Sequence, residues 1–281
     1  TRNHSSAASD VYKRQIATLA CFIAAASPFW IAESQETRMY TLSFTFLLVA
    51  AHGLVKAIVV STQPHIQNRL LLLLFTIFAA LALLTHYNAL FIVLAWYIWW
   101  GCWALLQSNR WAELRRVVGY GLLMSLIVLP IAPIALRQIP GYSNPNLTVP
   151  SIGQYLSENW QTYVGGYALS PDLLPWLRPI STAESPITVW VWIIGGLAVI
   201  GVIAQAWRAT MSGQFPLTRR YLSFLFVWLI GGLALYYIAV IDRGAFNPRY
   251  SSLTTPALYG LVAIGIAAVS YTHLRAHETS E

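Results

Sequence analysis

The sequence predicts an all-α protein, a polytopic bundle of about eight transmembrane helices with one long loop outside the membrane. Three observations predict it. Hydrophobic residues fill 57% of the 281 positions and charged residues only 10%, against about 25% charged in an ordinary soluble domain. The apolar residues form long unbroken runs, not the two-residue alternation of a β-barrel strand. Lys and Arg crowd the short loops on one side of those runs. So few charges cannot clothe a water-facing surface, and disorder is excluded because it needs low hydrophobicity and high charge.

A helix needs about 20 apolar residues to cross the hydrocarbon core. Eight stretches qualify in outline: 16–32, 39–60, 69–85, 88–106, 117–136, 187–206, 221–241 and 251–269. In lipid the backbone must satisfy its own hydrogen bonds, so each run is read as a helix. Loops 61–69, 107–116 and 207–220 share one side. With Lys56 they carry Arg69, Arg110, Arg115, Arg116, Arg208, Arg219 and Arg220, against the single acid Glu113. The other side carries Arg38, Arg137, Arg178, Arg243 and Arg249 against Glu33, Glu36, Glu158, Asp172, Glu184 and Asp242. The basic side is therefore expected in the cytoplasm. The net charge of +7 is accounted for by topology, and no nucleic-acid partner is called for. Cys21 and Cys102 lie inside apolar runs, which suggests neither a disulfide framework nor a zinc site.

The two ends differ from the rest. Residues 1–15 and 270–281 are polar, lack apolar periodicity and resemble translated adapter read-through. The expected transmembrane domain is therefore 16–269, an internal piece of a longer protein. Within it, residues 137–186 form an outer loop too long for a simple connection. RQIPGYSNPNLTVP reads as irregular chain. SIGQYLSENWQTYVGGY places Ile152, Tyr155, Leu156, Trp160, Tyr163 and Tyr167 at helical spacing, with Ser151 as a cap. Such a helix lies in the membrane interface or packs on the bundle top. Pro130 and Pro133 predict a bend near a helix end, and His52 is read as core.

No Walker loop, GxGxxG, HExxH or GxSxG pattern occurs. Ionisable groups are nearly missing from mid-span and gather at the outer helix ends. SPFWIAESQETRMY holds Glu33, Gln35, Glu36, Arg38 and Tyr40. THY holds His86 and Tyr87. DRGAFNPRY holds Asp242, Arg243, Asn247, Arg249 and Tyr250. An Arg at a helix end can grip a phosphate while its stem stays in apolar surroundings. Carboxylates nearby can orient a hydroxyl, act as a base or hold a divalent cation.

These clusters carry a resemblance. SPFWIAESQETRMYTL resembles the P-x(5)-SQE-x-R-x-Y-x-L segment of bacterial integral-membrane glycosyltransferases of the GT-C class, the group of the protein O-mannosyltransferases and the aminoarabinose transferase. ALLTHYNALFIVL is similar to their THY helix start, and NPRYSSLTTPALYGLVAIGI to their RY-x(5)-P-x-L segment. The resemblance implies transfer of a sugar from a polyprenyl-phosphate carrier to a lipid, glycan or protein acceptor on the extracytoplasmic face of a bacterial plasma membrane. It implies no fixed cofactor, although some members use a divalent cation. By this resemblance Glu36, Arg38, Tyr40, His86, Tyr87, Arg249 and Tyr250 form the substrate and lipid-phosphate site. Arg249 and Arg38 neutralise the carrier phosphate, Glu36 orients Arg38 or the sugar, and His86 lines the pocket. The family's catalytic Asp is expected in a first outer loop upstream of residue 16, so no catalytic base is assigned and the piece is expected to be inactive alone. A rival class, a transporter or flippase of lipid-linked sugars, calls for polar groups or broken helices near mid-membrane.

Overall fold

A computed structural model describes residues 2–35, 39–59, 65–138, 149–166, short helical pieces between 192 and 207, 215–242 and 244–278. Among the described residues the fold is helical, with no strand. In order these are α1 (Arg2–Ala26), α2 (Pro28–Gln35), α3 (Tyr40–Ile58), α4 (His65–Thr85), α5 (Ala89–Leu105), α6 (Arg110–Val128), α7 (Ala132–Gln138), α8 (Ile152–Gly165), α9 (Phe215–Phe226), α10 (Gly232–Val240), α11 (Pro248–Ser251) and α12 (Thr255–Glu278).

Among the described residues five stretches are long and apolar enough to cross a membrane: Tyr40–Ile58, Ile66–Thr85, Arg110–Gln138, Arg219–Val240 and Pro248–Ala267. A sixth is gained if Arg14–Ala26 and Pro28–Gln35, which meet at 57°, count as one broken span. The first expected span therefore bends at Ser27, just before Pro28, whose missing N–H suits a helix start. The fourth is the 17-residue α5, shorter than a typical crossing. The expected span at 187–206 lies largely outside the described residues. Pro130 does not end its helix. The α6 turns pass into a 3₁₀ turn at Leu129–Ile131, and α7 resumes at Ala132. The backbone of α1 is helical from Arg2, straight across the boundary expected at residue 15.

The chain divides into two compact units, residues 1–32, 160–225 and 255–281 in one, and 33–159 and 226–254 in the other. In the first unit α1 lies against α12. Ser27 and Tyr259 share a hydroxyl hydrogen bond of 2.8 Å, and Trp30 donates its indole N–H to Thr255 at 2.9 Å. Gly166 closes α8 with φ +80°, a backbone conformation that favours glycine.

The second unit is a helix bundle. Its α3 buries the stripe Tyr40, Ser43, Leu47, Ala50, Leu54 and Ala57, which recurs every three to four residues as one helix face must. The face meets α4 at Gly53, where an added Cβ would stand 2.6 Å from the Leu71 carbonyl oxygen. Small residues permit that backbone approach, the usual packing device between membrane helices. Ser43 donates to the Ala82 carbonyl across the seam. His52 is on the opposite, exposed side of α3, which corrects its reading as core. Its position follows from the periodicity: it falls outside the stripe that faces α4.

On α5, Trp96 packs edge-on against Trp228 at 4.8 Å between ring centres. Trp228 in turn donates to the Leu253 carbonyl. It sits in a five-residue π-helical insertion, Val227–Gly231, at the head of α10. By contrast α6 buries only Glu113, and its apolar remainder is the kind of surface that lipid covers.

Candidate functional site

The candidate site belongs to the second unit and is assembled at one end of its helices. Arg249 is placed from its own backbone outward. Asn247 caps α11, its side-chain oxygen accepting from the Arg249 N–H at 2.9 Å, and Pro248 opens the helix with its φ already fixed. The Tyr236 hydroxyl on α10 donates to the Ala245 carbonyl at 3.1 Å and lies 3.3 Å from the Asn247 N–H, which donates to it. Residues 245–247 are thus tied to α10, part of an apolar stretch long enough to cross a membrane, and this anchors the backbone that carries Arg249.

The guanidinium is buried beside the Glu33 carboxylate. Arg249 Nε is 2.7 Å from Glu33 Oε1, with the two side chains 5% and 0% exposed. An isolated charge in so dry a place would cost several kcal/mol, so each makes the other tenable. The Tyr40 ring, buried in the first turn of α3, lies 5.8 Å from the guanidinium carbon, within reach of a cation–π contact. Behind it stands His86, edge-on to Tyr40 at 4.8 Å and 6.5 Å from the Tyr250 ring.

His86 follows the last turn of α4, and its N–H donates to the Ala82 carbonyl. Its Nε2 is buried with no hydrogen-bond partner among the described residues. Burial pushes the imidazole down to about 4, because a charged ring would lose its hydration. The ring is neutral at pH 7.

The first half of α8 covers the neighbouring ground. Ser151 Oγ accepts from the Gln154 N–H at 3.3 Å, as a capping residue should. Tyr155 is buried among Tyr236, Tyr237 and Phe246. It donates its hydroxyl hydrogen to the Leu233 carbonyl at 2.8 Å. Asn159 accepts from Ser251 at 2.7 Å and donates to the Tyr155 carbonyl. Ile152 and Leu156 face outward and are exposed. Tyr167 lies outside the described residues.

Four of the sequence-derived site residues thus meet: Tyr40, His86, Arg249 and Tyr250. Tyr87, next to His86, is turned aside, its hydroxyl 3.5 Å from Gln138 Oε1. Glu36 and Arg38 lie outside the described residues, as do most of loop 137–186 and Arg243. Glu33 had been placed at this level without a role. A signal for it existed, since a buried Arg demands a carboxylate and Glu33 precedes Glu36 by three residues, one helical turn. Tyr236 and Asn159 gave no such sign. Each looks like an ordinary member of an apolar or amphipathic helix until its partner is known.

Among the described residues no three His, Cys, Asp or Glu side chains come together, so no metal-ligand set is assigned. No family model matches the chain, and neither a curated protein nor a solved structure matches it.

Proposed function

We propose that the chain is part of a membrane-embedded glycosyltransferase of GT-C type. It moves a sugar from a polyprenyl-phosphate carrier to a lipid, glycan or protein hydroxyl on the extracytoplasmic face of a bacterial plasma membrane. One observation carries this reading. Tyr40, His86 and Tyr250 come from segments up to 210 positions apart, and they gather beside the buried Arg249–Glu33 pair. These are three of the segments whose motifs resemble that family.

In the proposed reaction the acceptor oxygen bonds to the sugar's anomeric carbon while the bond from that carbon to the phosphate oxygen breaks. The leaving phosphate keeps the electron pair, and a cation preset beside it lowers the barrier. Arg249, with Arg38, supplies that charge. Tyr40 holds the guanidinium by its ring face. His86 and Tyr250 line the sugar's side of the pocket with neutral polar and aromatic surface. The acceptor's proton goes to a general base, for which the expected group is a carboxylate of an upstream loop.

The test is sugar transfer in proteoliposomes by the parent protein carrying its upstream region, from a labelled polyprenyl-phosphate sugar. Arg249→Ala should reduce transfer at least a hundredfold. Unaltered transfer by Arg249→Ala would discard the assignment.

A further inference from the structure

We propose that the foot of α6 is a binding site for an anionic phospholipid, with the headgroup phosphate on Arg115 and Arg116 and an acyl chain along the exposed face above them. The proposal goes beyond the transferase reading and does not depend on it. It needs only that α6 lies in a bilayer.

The charge is local. The first seven residues of α6, RWAELRR, hold three arginines against one acid. Glu113 is paired with Arg116 at 2.8 Å, while Arg115 is exposed and makes no ion pair among the described residues. Arg110 lies over the Trp111 ring at 5.8 Å. That ring is exposed, and tryptophans of this kind settle at membrane interfaces.

The shape agrees. Arg115, Arg116, Gly119, Tyr120 and Leu123 line a cleft of about 400 Å³. Spacing of four puts Arg115, Gly119 and Leu123 on one helix face. An added Cβ at Gly119 would meet nothing within 4 Å, so this glycine leaves room beside the arginines. Tyr120 makes one wall, its ring backed by Trp100 at 6.2 Å between centres. Above the cleft Val118, Leu122, Leu126 and Leu129 are all exposed. From Val118 to Leu129 a helix rises about 16 Å, close to one leaflet of a hydrocarbon core about 30 Å thick.

An anionic head on an apolar tail matches that order of cation, cleft and stripe. A guanidinium can hold two phosphate oxygens by parallel hydrogen bonds, while its stem lies along apolar surface. Phosphatidylcholine also brings a phosphate, but its own ammonium cancels the charge. A second copy packed by the same face would set arginine near arginine.

The experiment titrates the full chain in a neutral detergent with phosphatidylglycerol and, in parallel, with phosphatidylcholine. Native mass spectrometry counts the bound lipid. Wild type should hold phosphatidylglycerol about tenfold more tightly than phosphatidylcholine, and Arg115→Gln should weaken phosphatidylglycerol roughly fivefold. Gly119→Leu fills the cleft without changing the charge and should weaken it by a similar factor. Lys56→Gln removes a cation expected at the same end of the bundle but outside the cleft, and should change binding much less. Both cleft positions are exposed, so the two variants test binding and not folding. Equal binding of the two lipids would overturn the proposal, as would an Arg115→Gln protein that binds like wild type. If Gly119→Leu binds like wild type while Arg115→Gln and Lys56→Gln weaken alike, the attraction is to the basic end at large and there is no site.

Discussion

Two Arg–Glu pairs in the same unit have almost the same geometry and opposite surroundings. Arg249 and Glu33 meet at 2.7 Å with side chains 5% and 0% exposed. Arg116 and Glu113 meet at 2.8 Å with 47% and 10% exposed. The first pair joins segments more than 200 positions apart, and the second spans one turn of α6. Distance alone says they are alike. Solvation says they are not, because water already satisfies most of what Arg116 needs, whereas Arg249 is held out of water beside an equally buried Glu33. A buried pair is costly to break from one side.

The largest effect should come from breaking the buried pair on one side only. Arg249→Gln removes the cation beside a wholly buried carboxylate and should lower unfolding stability by about 3–5 kcal/mol. The double variant Glu33→Leu, Arg249→Met removes both charges and should recover most of that loss. Denaturant titration in detergent measures both. If the double variant is as unstable as the single, burial is not the source of the cost and the comparison is broken.

Acid comes next. His86 has its pKa lowered to about 4 from 6.5, so the unfolded chain takes up its proton first as pH falls. Between pH 6.5 and 4 the unfolded state binds more protons, and stability falls with pH. Above 6.5 this contribution is flat. The full loss is about 3 kcal/mol below pH 4. His86→Phe should flatten the unfolding stability across that window, relative to wild type at the same pH values. A slope left unchanged would assign the acid sensitivity to another group.

Packing between helices provides a smaller effect. Gly53→Leu drives a side chain into the Leu71 backbone, and overpacking of this kind costs about 1–3 kcal/mol. Gly101→Leu, on a residue with open space around it, should cost much less on packing grounds. Equal losses in the two variants would mean that the α3–α4 seam is not closely packed.

What the sequence revealed follows the same division. Long apolar runs dictate helices because lipid leaves the backbone no alternative, and the runs at α3, α4, α6, α10 and α12 were legible for that reason. The break at Ser27 was not, since Ser27 and Pro28 sit inside an apolar stretch whose composition hides a bend. At the site, the three motif-bearing segments announced Tyr40, His86, Arg249 and Tyr250. They did not announce Glu33 as the partner. Several carboxylates lay at the same expected level, and only the three-dimensional path of α2 chooses among them. His52 shows the converse. A lone polar residue in an apolar run was read as core, and the stripe of α3 that meets α4 leaves it outside.

The smallest effect belongs to the exposed pair. Arg116→Ala removes an i,i+3 contact that water and salt already weaken, so stability should change by no more than about 0.5 kcal/mol. The sign of the remainder is informative. Glu113 is buried enough to be only 10% exposed at its side chain, and Asn109 Nδ2, 3.5 Å away, also donates to it. If Glu113 draws mainly on Arg116, the loss should approach the upper figure and persist in 1 M salt, where the Debye length is about 3 Å. If Arg116 is simply one of the basic residues at the foot of α6, the loss should vanish in salt. A loss comparable to that of Arg249→Gln would end the contrast, because it would show that exposure does not separate the two pairs.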